Sequence, residues 1–341
     1  MSAGANQLRL LDRVTREAIP WSVSVELTRR CPLRCVHCYV PDLGTPAELS
    51  GDRLVALFDE LAALGTLHLG LTGGEPLARP DWADLASAAR ARGFSVQLLT
   101  SGVLLGEREA DTIAELALRV AVSLYAPDAA RHDEITRVPG SFARTTAALE
   151  RMRARGVATA VSFTATAGTV ACAPAMAAFC REHGFDERFS PLITARLDGD
   201  QAPLALRAPH EAAASLAGPD ARRPGSAPPI RDDEPLCAAG IRTAHVTVTG
   251  DALACLDLPT SAGNILEQPF RDIWHHSPWL QRLRAIRRRD LRVCNECAKL
   301  AYCGRCHAQA LAEDGDLLGL SSWACEHAAA LERLAGGEHQ A

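Results

Sequence analysis

Three thiols fall within eight residues in the run Arg30-Cys31-Pro32-Leu33-Arg34-Cys35-Val36-His37-Cys38-Tyr39, directly after a short apolar segment. Four thiolates are the usual ligand set of a four-iron cluster. Three would leave one iron without a protein ligand, open to bind and act on a small molecule. A structural zinc site wants four closed ligands, and the nearest further candidate, His37, lies inside the triplet, where it would point away from the other three. A disulfide needs an oxidising compartment, yet residues 1–20 carry charges throughout and no apolar signal core. The triplet therefore reads as a three-cysteine iron site, with zinc as the alternative.

Such a loop has to be held by a strand end. From residue 21 to about 192, short apolar runs alternate with amphipathic stretches, the pattern of βα units around a parallel sheet. Strands are expected at 21–27, 66–72, 95–100, 119–124, 158–164 and 188–192. Among the helices, 52–64 follows Ser50 and 142–155 follows Ser141, both good N-caps. Six units are too few to close an eight-stranded barrel, so an α/β partial barrel is expected. The triplet would then open at the carboxyl end of the sheet, where parallel α/β folds place their active sites. Directly after the second strand comes Thr72-Gly73-Gly74-Glu75-Pro76. Its paired glycines permit close backbone approach to a ligand, Glu75 can accept from an ammonium, and Pro76 fixes the turn.

The 341-residue chain carries a net charge of −5 with acids and bases interspersed, which leaves no basic face for nucleic acid. No apolar run reaches the length of a membrane span, and a soluble, cytoplasmic protein is expected. Twelve cysteines without an export signal point to metal binding. Cys172 and Cys180, flanked by Ala, Met and Phe, read as buried apolar side chains. Seven others (Cys237, Cys255, Cys294, Cys297, Cys303, Cys306 and Cys325) crowd the last third. The expected organisation is an N-terminal segment (1–20), the partial barrel (21–196), a Pro- and Gly-rich linker (197–236) with one short helix at 210–216, a cysteine-rich module (237–335) and a tail (336–341). That module would bury little apolar surface without metal. No histidine and no carboxylate pair stands out as an acid–base couple.

The Cys31/Cys35/Cys38 spacing together with the Gly73–Pro76 run resembles the radical S-adenosylmethionine (SAM) enzymes. The resemblance implies a partial barrel of six βα units and a [4Fe-4S] cluster on the three cysteines, with SAM chelating the unique iron through its amine and carboxylate. It implies that Gly73, Gly74, Glu75 and Pro76 steady the amine. Val122-Ser123-Leu124-Tyr125 ends the fourth strand, where relatives use a serine on the SAM ribose or carboxylate, a role carried here to Ser123. The stretch from His132 to Phe142 looks like the peptide-modifying branch, and its Arg137 could pair with the SAM carboxylate through a bidentate fork. Two departures stand out: position 37, often aromatic, is His37, which can still stack, and Thr100-Ser101-Gly102 replaces the commoner Thr-Asn-Gly.

The C-terminal module is similar to the SPASM extension, which carries auxiliary iron–sulfur clusters. The similarity runs through Cys237, Gly250, Cys255, Cys294-x-x-Cys297, Cys303, Cys306 and Cys325, and through Gly263-Asn264-Ile265 and Phe270-Arg271-Asp272-Ile273-Trp274. By analogy Cys294, Cys297, Cys303 and Cys325 complete one cluster, while Cys237, Cys255 and Cys306 hold another that is short of one thiolate. The Cys303–Cys306 spacing is one residue tighter than the commonest form. Read alone, the paired spacings would also suit zinc.

What the resemblance implies is reductive cleavage of SAM by an electron from a flavodoxin- or ferredoxin-type donor, and hydrogen abstraction from an unactivated carbon. The expected substrate is a ribosomally made peptide or protein, crosslinked or oxidised, with a separate small protein recognising its leader. The alternatives are a small-molecule substrate, such as a tetrapyrrole side chain or a sugar, and a non-catalytic zinc protein.

Overall fold

The computed structural model describes residues 3–40, 47–217 and 232–337. Six parallel strands follow one another across a sheet: β1 (Ser22–Thr28), β2 (His68–Gly73), β3 (Ser95–Thr100), β4 (Arg119–Ser123), β5 (Thr159–Thr164) and β6 (Asp186–Ser190). Each expected strand is present within two residues at either end. Their alternation explains why they are strands and which way they face. Val23, Val25 and Leu27 of β1 and Leu69 and Leu71 of β2 are buried with Leu54, Leu57, Phe58 and Leu61 of the following helix. Ser24 and Gly70 sit on the opposite face with Gln97, lining an open lumen. A fully covered parallel strand would read as a continuous apolar run; here the alternate positions include small and polar residues such as Ser24, Gly70 and Gln97.

The sheet does not close. Its order is β6-β5-β4-β3-β2-β1, and it continues past β1 into β7 (Thr243–Val246), β8 (Asp251–Cys255) and β9 (Leu258–Asn264). β7 pairs parallel to β1, with Ser22 opposite Thr243 and Val25 opposite Val246; β8 and β9 are antiparallel. The fold is therefore an α/β partial barrel of six βα units with a cysteine-rich C-terminal module. The module was expected as a separate unit; instead its first strands prolong the barrel sheet. β1 would otherwise be an exposed edge, and Thr-Ala-His-Val supplies a strand that covers it.

Ser50 caps the helix Gly51–Ala63 as expected, accepting from Arg53 N at 3.2 Å. The cap expected of Ser141 is not its own: Ser141 lies inside the helix Ser141–Ala154. The carboxylate of Asp133, from the preceding helix, takes the hydrogen bonds of Gly140 N, Phe142 N and Ser141 Oγ at 2.6, 2.8 and 2.8 Å. The N-terminal segment, read without an element, forms the helix Ala3–Arg16. Within the expected linker, Ala202–Leu206 is a 3-10 turn and His210–Ser215 the short helix. The turn signals at 218–229 lie outside the described residues. Cys172 and Cys180 are buried as expected.

Candidate active site and metal centres

The cysteine loop leaves the carboxyl end of β1 and is tied down on both sides. Thr28 donates to the carboxylate of Glu48, which also pairs with Arg30 at 3.1 Å. Arg34 N and Val36 N donate to the carbonyls of Thr136 and Ile135, both at 3.0 Å, so the end of the helix Ala129–Thr136 holds the middle of the loop. Cys31, Cys35 and Cys38 are all free thiols within electrostatic reach of one another. Burial, then the neighbouring cysteines, push the Cys35 thiol up to about 12. Burial likewise raises Cys38. Three converging thiols that resist ionisation in the bare protein suit a positively charged iron core, which favours the thiolate form. The donor set thus fits an iron–sulfur cluster. Among the described residues, no three His, Cys, Asp or Glu side chains are grouped to hold a single metal ion.

The Gly73–Pro76 turn presses directly on this loop. Gly74 N donates to Thr28 O at 2.7 Å and Glu75 N to Arg30 O at 2.8 Å. Gly73 adopts φ +133°, and a Cβ on it would stand 2.2 Å from Thr28 O; a Cβ on Gly74 would stand 2.5 Å from Arg29 O. The two glycines are therefore required by contact between the two motifs. The Glu75 side chain is wholly buried. Its carboxylate accepts from Thr100 Oγ1 at 2.6 Å, Ser101 N at 2.8 Å, Ser101 Oγ and Leu77 N. The sequence suggested that Glu75 takes an ammonium; in the structure four donors from the protein already occupy it, and it locks the turn to the end of β3. That network also explains Ser101, whose hydroxyl supplies one of those donors.

Two of the remaining residues expected at the cofactor, Ser123 and His37, meet at Tyr125. Ser123 ends β4 and hydrogen-bonds the hydroxyl of Tyr125. His37 packs edge-on against Tyr125, with centroids 4.5 Å apart, and burial pushes its imidazole down to about 4, so it is neutral. Arg137, at φ +56°, ends the helix Ala129–Thr136 with its side chain exposed. Pro76 is buried in the turn. Sequence reasoning gave Tyr125 no role, yet it joins the parts. Its hydroxyl reaches Cys35 and Ser123, its ring stacks on His132 at 5.6 Å, and its amide donates to His132 Nδ1 at 3.2 Å. Its place two residues beyond Ser123, at a strand's carboxyl end, was the available signal.

The seven C-terminal cysteines separate into two groups. Cys237, Cys255 and Cys306 lie within one another's electrostatic reach, with burial and then Asp257 pushing Cys255 up to about 12. Cys303 feels Cys325 and Cys294, and Cys325 feels Cys294 and Cys297. This grouping is one of electrostatic proximity among the thiols. Distant segments converge to make it: Cys255 ends β8, Cys306 caps the helix His307–Asp314, and Cys325 lies in the first turn of the helix Ser322–Gly337.

Residues 25–169 match the radical SAM superfamily and residues 237–298 the SPASM iron-sulfur cluster-binding domain. The PqqA peptide cyclase of Xanthomonas campestris pv. campestris is 32% identical over 336 residues, spanning 91% of this chain and 88% of that protein. The AdoMet-dependent heme synthase of Methanosarcina barkeri is 29% identical over 88% of this chain and 94% of its own length. The crystal structure of Streptococcus suis SuiB bound to its precursor peptide SuiA superposes with a TM-score of 0.72 at 16% identity, covering 95% of this chain and 82% of that one. The chain belongs to the radical SAM superfamily, in the group that carries a SPASM domain. It is an enzyme whose cofactors are a [4Fe-4S] cluster, SAM and auxiliary iron–sulfur clusters; the zinc alternative falls with that membership.

Proposed function

We propose that this enzyme matures a ribosomally synthesised peptide or protein by forming a crosslink or oxidising a side chain. The observation that carries this reading is the full-length similarity to PqqA peptide cyclase, which spans barrel and module alike. The likeness of fold to SuiB agrees with it. Cys31, Cys35 and Cys38 are assigned as ligands of the SAM-binding cluster. Cys294, Cys297, Cys303 and Cys325 are assigned to one auxiliary cluster, and Cys237, Cys255 and Cys306 to another with one open position. Bound there, the cluster and SAM supply a carbon-centred radical able to take hydrogen from an unactivated carbon.

The chain's own part is placement and exclusion of water. The Gly73–Pro76 turn, seated on residues 28–30, sets where the methionine end of SAM can lie. Because the Glu75 carboxylate is taken by protein donors, we assign recognition of the SAM amine to the backbone of that turn. Ser123, Arg137 and His37 are assigned to the ribose, the carboxylate and the nucleoside face. We also assign a separate leader-recognition protein, a flavodoxin- or ferredoxin-type electron donor and a cytoplasmic setting. Among the described residues no helix is long and apolar enough to cross a membrane.

The test is anaerobic incubation of the reconstituted enzyme with SAM, a reductant and the product of a short peptide gene beside its own. The expected outcome is a loss of two hydrogen atoms from the peptide with release of 5′-deoxyadenosine, both abolished by Cys35→Ala. An unmodified peptide, or activity retained in that variant, would overturn the assignment. A tetrapyrrole substrate is the second reading, favoured by the similarity to the heme synthase; a change of mass in an added tetrapyrrole in the same assay would select it.

A further inference from the structure

A cavity of about 190 Å3 lies between Tyr39, the segment from Thr194 to Arg207 and the helix His307–Asp314, and nothing in the reactions considered so far uses it. One water needs only about 10–15 Å3 of such space, so this cavity can take a residue-sized group. Most of its wall is apolar, including Leu197, Leu204, Leu256 and Pro259. Its arginines stand in ion pairs, Arg207 with Glu313 at 2.6 Å and Arg196 with Asp200 at 3.4 Å, although Arg196 Nε makes no hydrogen bond.

Two further polar side chains face the cavity. Gln309 is 4% exposed, and its side-chain Nε2 has no acceptor. Asp257 opens into the same cavity, and no donor among the described residues bonds its carboxylate. Buried amide groups are almost always satisfied, so the unmatched Gln309 donor marks the place of a ligand acceptor, and the half-buried Asp257 carboxylate in the same cavity can take a donor from that ligand. A peptide unit does: its carbonyl accepts and its N–H donates. Tyr39, Thr194 and Asp257 are shared with a second cavity that touches His37, Thr164 of β5 and Ser190 of β6. A chain seated against Gln309 would therefore run toward the mouth of the cysteine loop.

We propose that this cavity seats a backbone amide and side chain of the substrate peptide beside the reacting residue, with Gln309 donating to its carbonyl and Asp257 accepting from its N–H. The inference rests on the peptide reading and specifies which surface holds the peptide. Gln309, on the helix that begins just after Cys306, is in these terms a positioning residue.

The probe is an mRNA-displayed library of random linear ten-residue peptides, selected anaerobically on the full-length reconstituted enzyme with SAM. Selected peptides are then measured against Gln309→Leu and, as an independent block, Leu204→Trp, each checked for unchanged thermal unfolding and cluster absorbance. The expected result is at least tenfold weaker binding in both variants. N-methylation of one backbone amide removes the donor to Asp257, so it should weaken binding to the wild type and cost nothing further in Asp257→Ala. If peptides bind and both variants hold them as tightly as the wild type, the cavity assignment is wrong while the peptide reading stands. If no peptide is enriched on the wild type, the peptide reading itself fails and takes the cavity assignment with it.

Discussion

Replacing Gly74 by alanine tests whether the glycine turn exists to press on the cysteine loop. The new methyl would lie 2.5 Å from Arg29 O and 2.7 Å from Arg30 O, both backbone atoms that cannot swing aside. An ordinary C···O contact is about 3.4 Å, so residues 29–30 must retreat by roughly 0.9 Å, and Cys31 follows. That retreat breaks the 2.7 Å bond from Gly74 N to Thr28 O and the 2.8 Å bond from Glu75 N to Arg30 O. Each bond is worth about 1 kcal/mol net, and overpacking adds about 1–3 kcal/mol, for a total of roughly 3–5 kcal/mol. Gly93→Ala is the control: at φ +84° with nothing within 4 Å, it carries only the left-handed penalty of about 1–2 kcal/mol. Guanidinium unfolding of the two variants, with m-values compared, reads the stability; iron per protein after anaerobic reconstitution reads the site. Gly74→Ala should lose both stability and iron, and Gly93→Ala should keep its iron. If the two variants were equally stable and equally loaded, the close approach of the motifs would have no bearing on the cysteines.

The buried His132 accepts from Tyr125 N, and burial holds its imidazole near pKa about 4. Unfolded, it titrates near 6.5, so between these values the unfolded chain binds the extra proton and stability falls as pH drops. The fall amounts to roughly 3 kcal/mol at about 1.4 kcal/mol per decade; urea midpoints from pH 7 to 4 should show it, and His132→Asn should flatten that part of the curve. Cys255→Ser and Cys297→Ser should each remove a different auxiliary cluster signal from the electron paramagnetic resonance spectrum of the reduced protein. Loss of the same signal in both would overturn the three-plus-four partition. Asp133→Ala, which strips the helix Ser141–Ala154 of a cap borrowed from its neighbour, should cost about 1–2 kcal/mol, measured by thermal unfolding; a change within error would leave that cap without energetic weight.

The strands and the cysteine loop were legible because their signals are local. Val23, Val25 and Leu27 alternate with Ser24 and Glu26, and Cys31, Cys35 and Cys38 share one turn of chain. The chain does not advertise contacts made across it. Gly73 and Gly74 read as a ligand loop, but which backbone they approach depends on β1 and β2 being neighbours. Glu75 read as an acceptor for a ligand because Thr100 and Ser101, its actual donors, lie 25 and 26 residues away. The pairing of β7 with β1 was hidden for a similar reason: four residues, Thr-Ala-His-Val, give too short a pattern to assign. Their partner lies more than two hundred residues upstream, with Ser24 meeting His245 at 2.8 Å.

That pairing also bears on what kind of substrate the enzyme can hold. β7 lies beside β1 and β8 beside β7, so β8 stands about 10 Å from β1 at a spacing of about 4.8 Å per strand. β8 runs back down the sheet: its Leu253 faces His245, which places Cys255 level with Thr243 and hence with Ser22, at the opposite end of β1 from the cysteine loop. Six residues at about 3.3 Å each separate the two ends of β1, and combining both offsets puts the backbone of Cys255 roughly 22 Å from that of Thr28. This separation is built from hydrogen-bonded strands, so it cannot be shortened by a hinge without breaking the ladder. A ligand reaching from the carboxyl end of β1 to Cys255 must therefore be elongated. About six or seven residues of extended chain cover that length, and the cavity flanked by Tyr39 and Gln309 lies along the way.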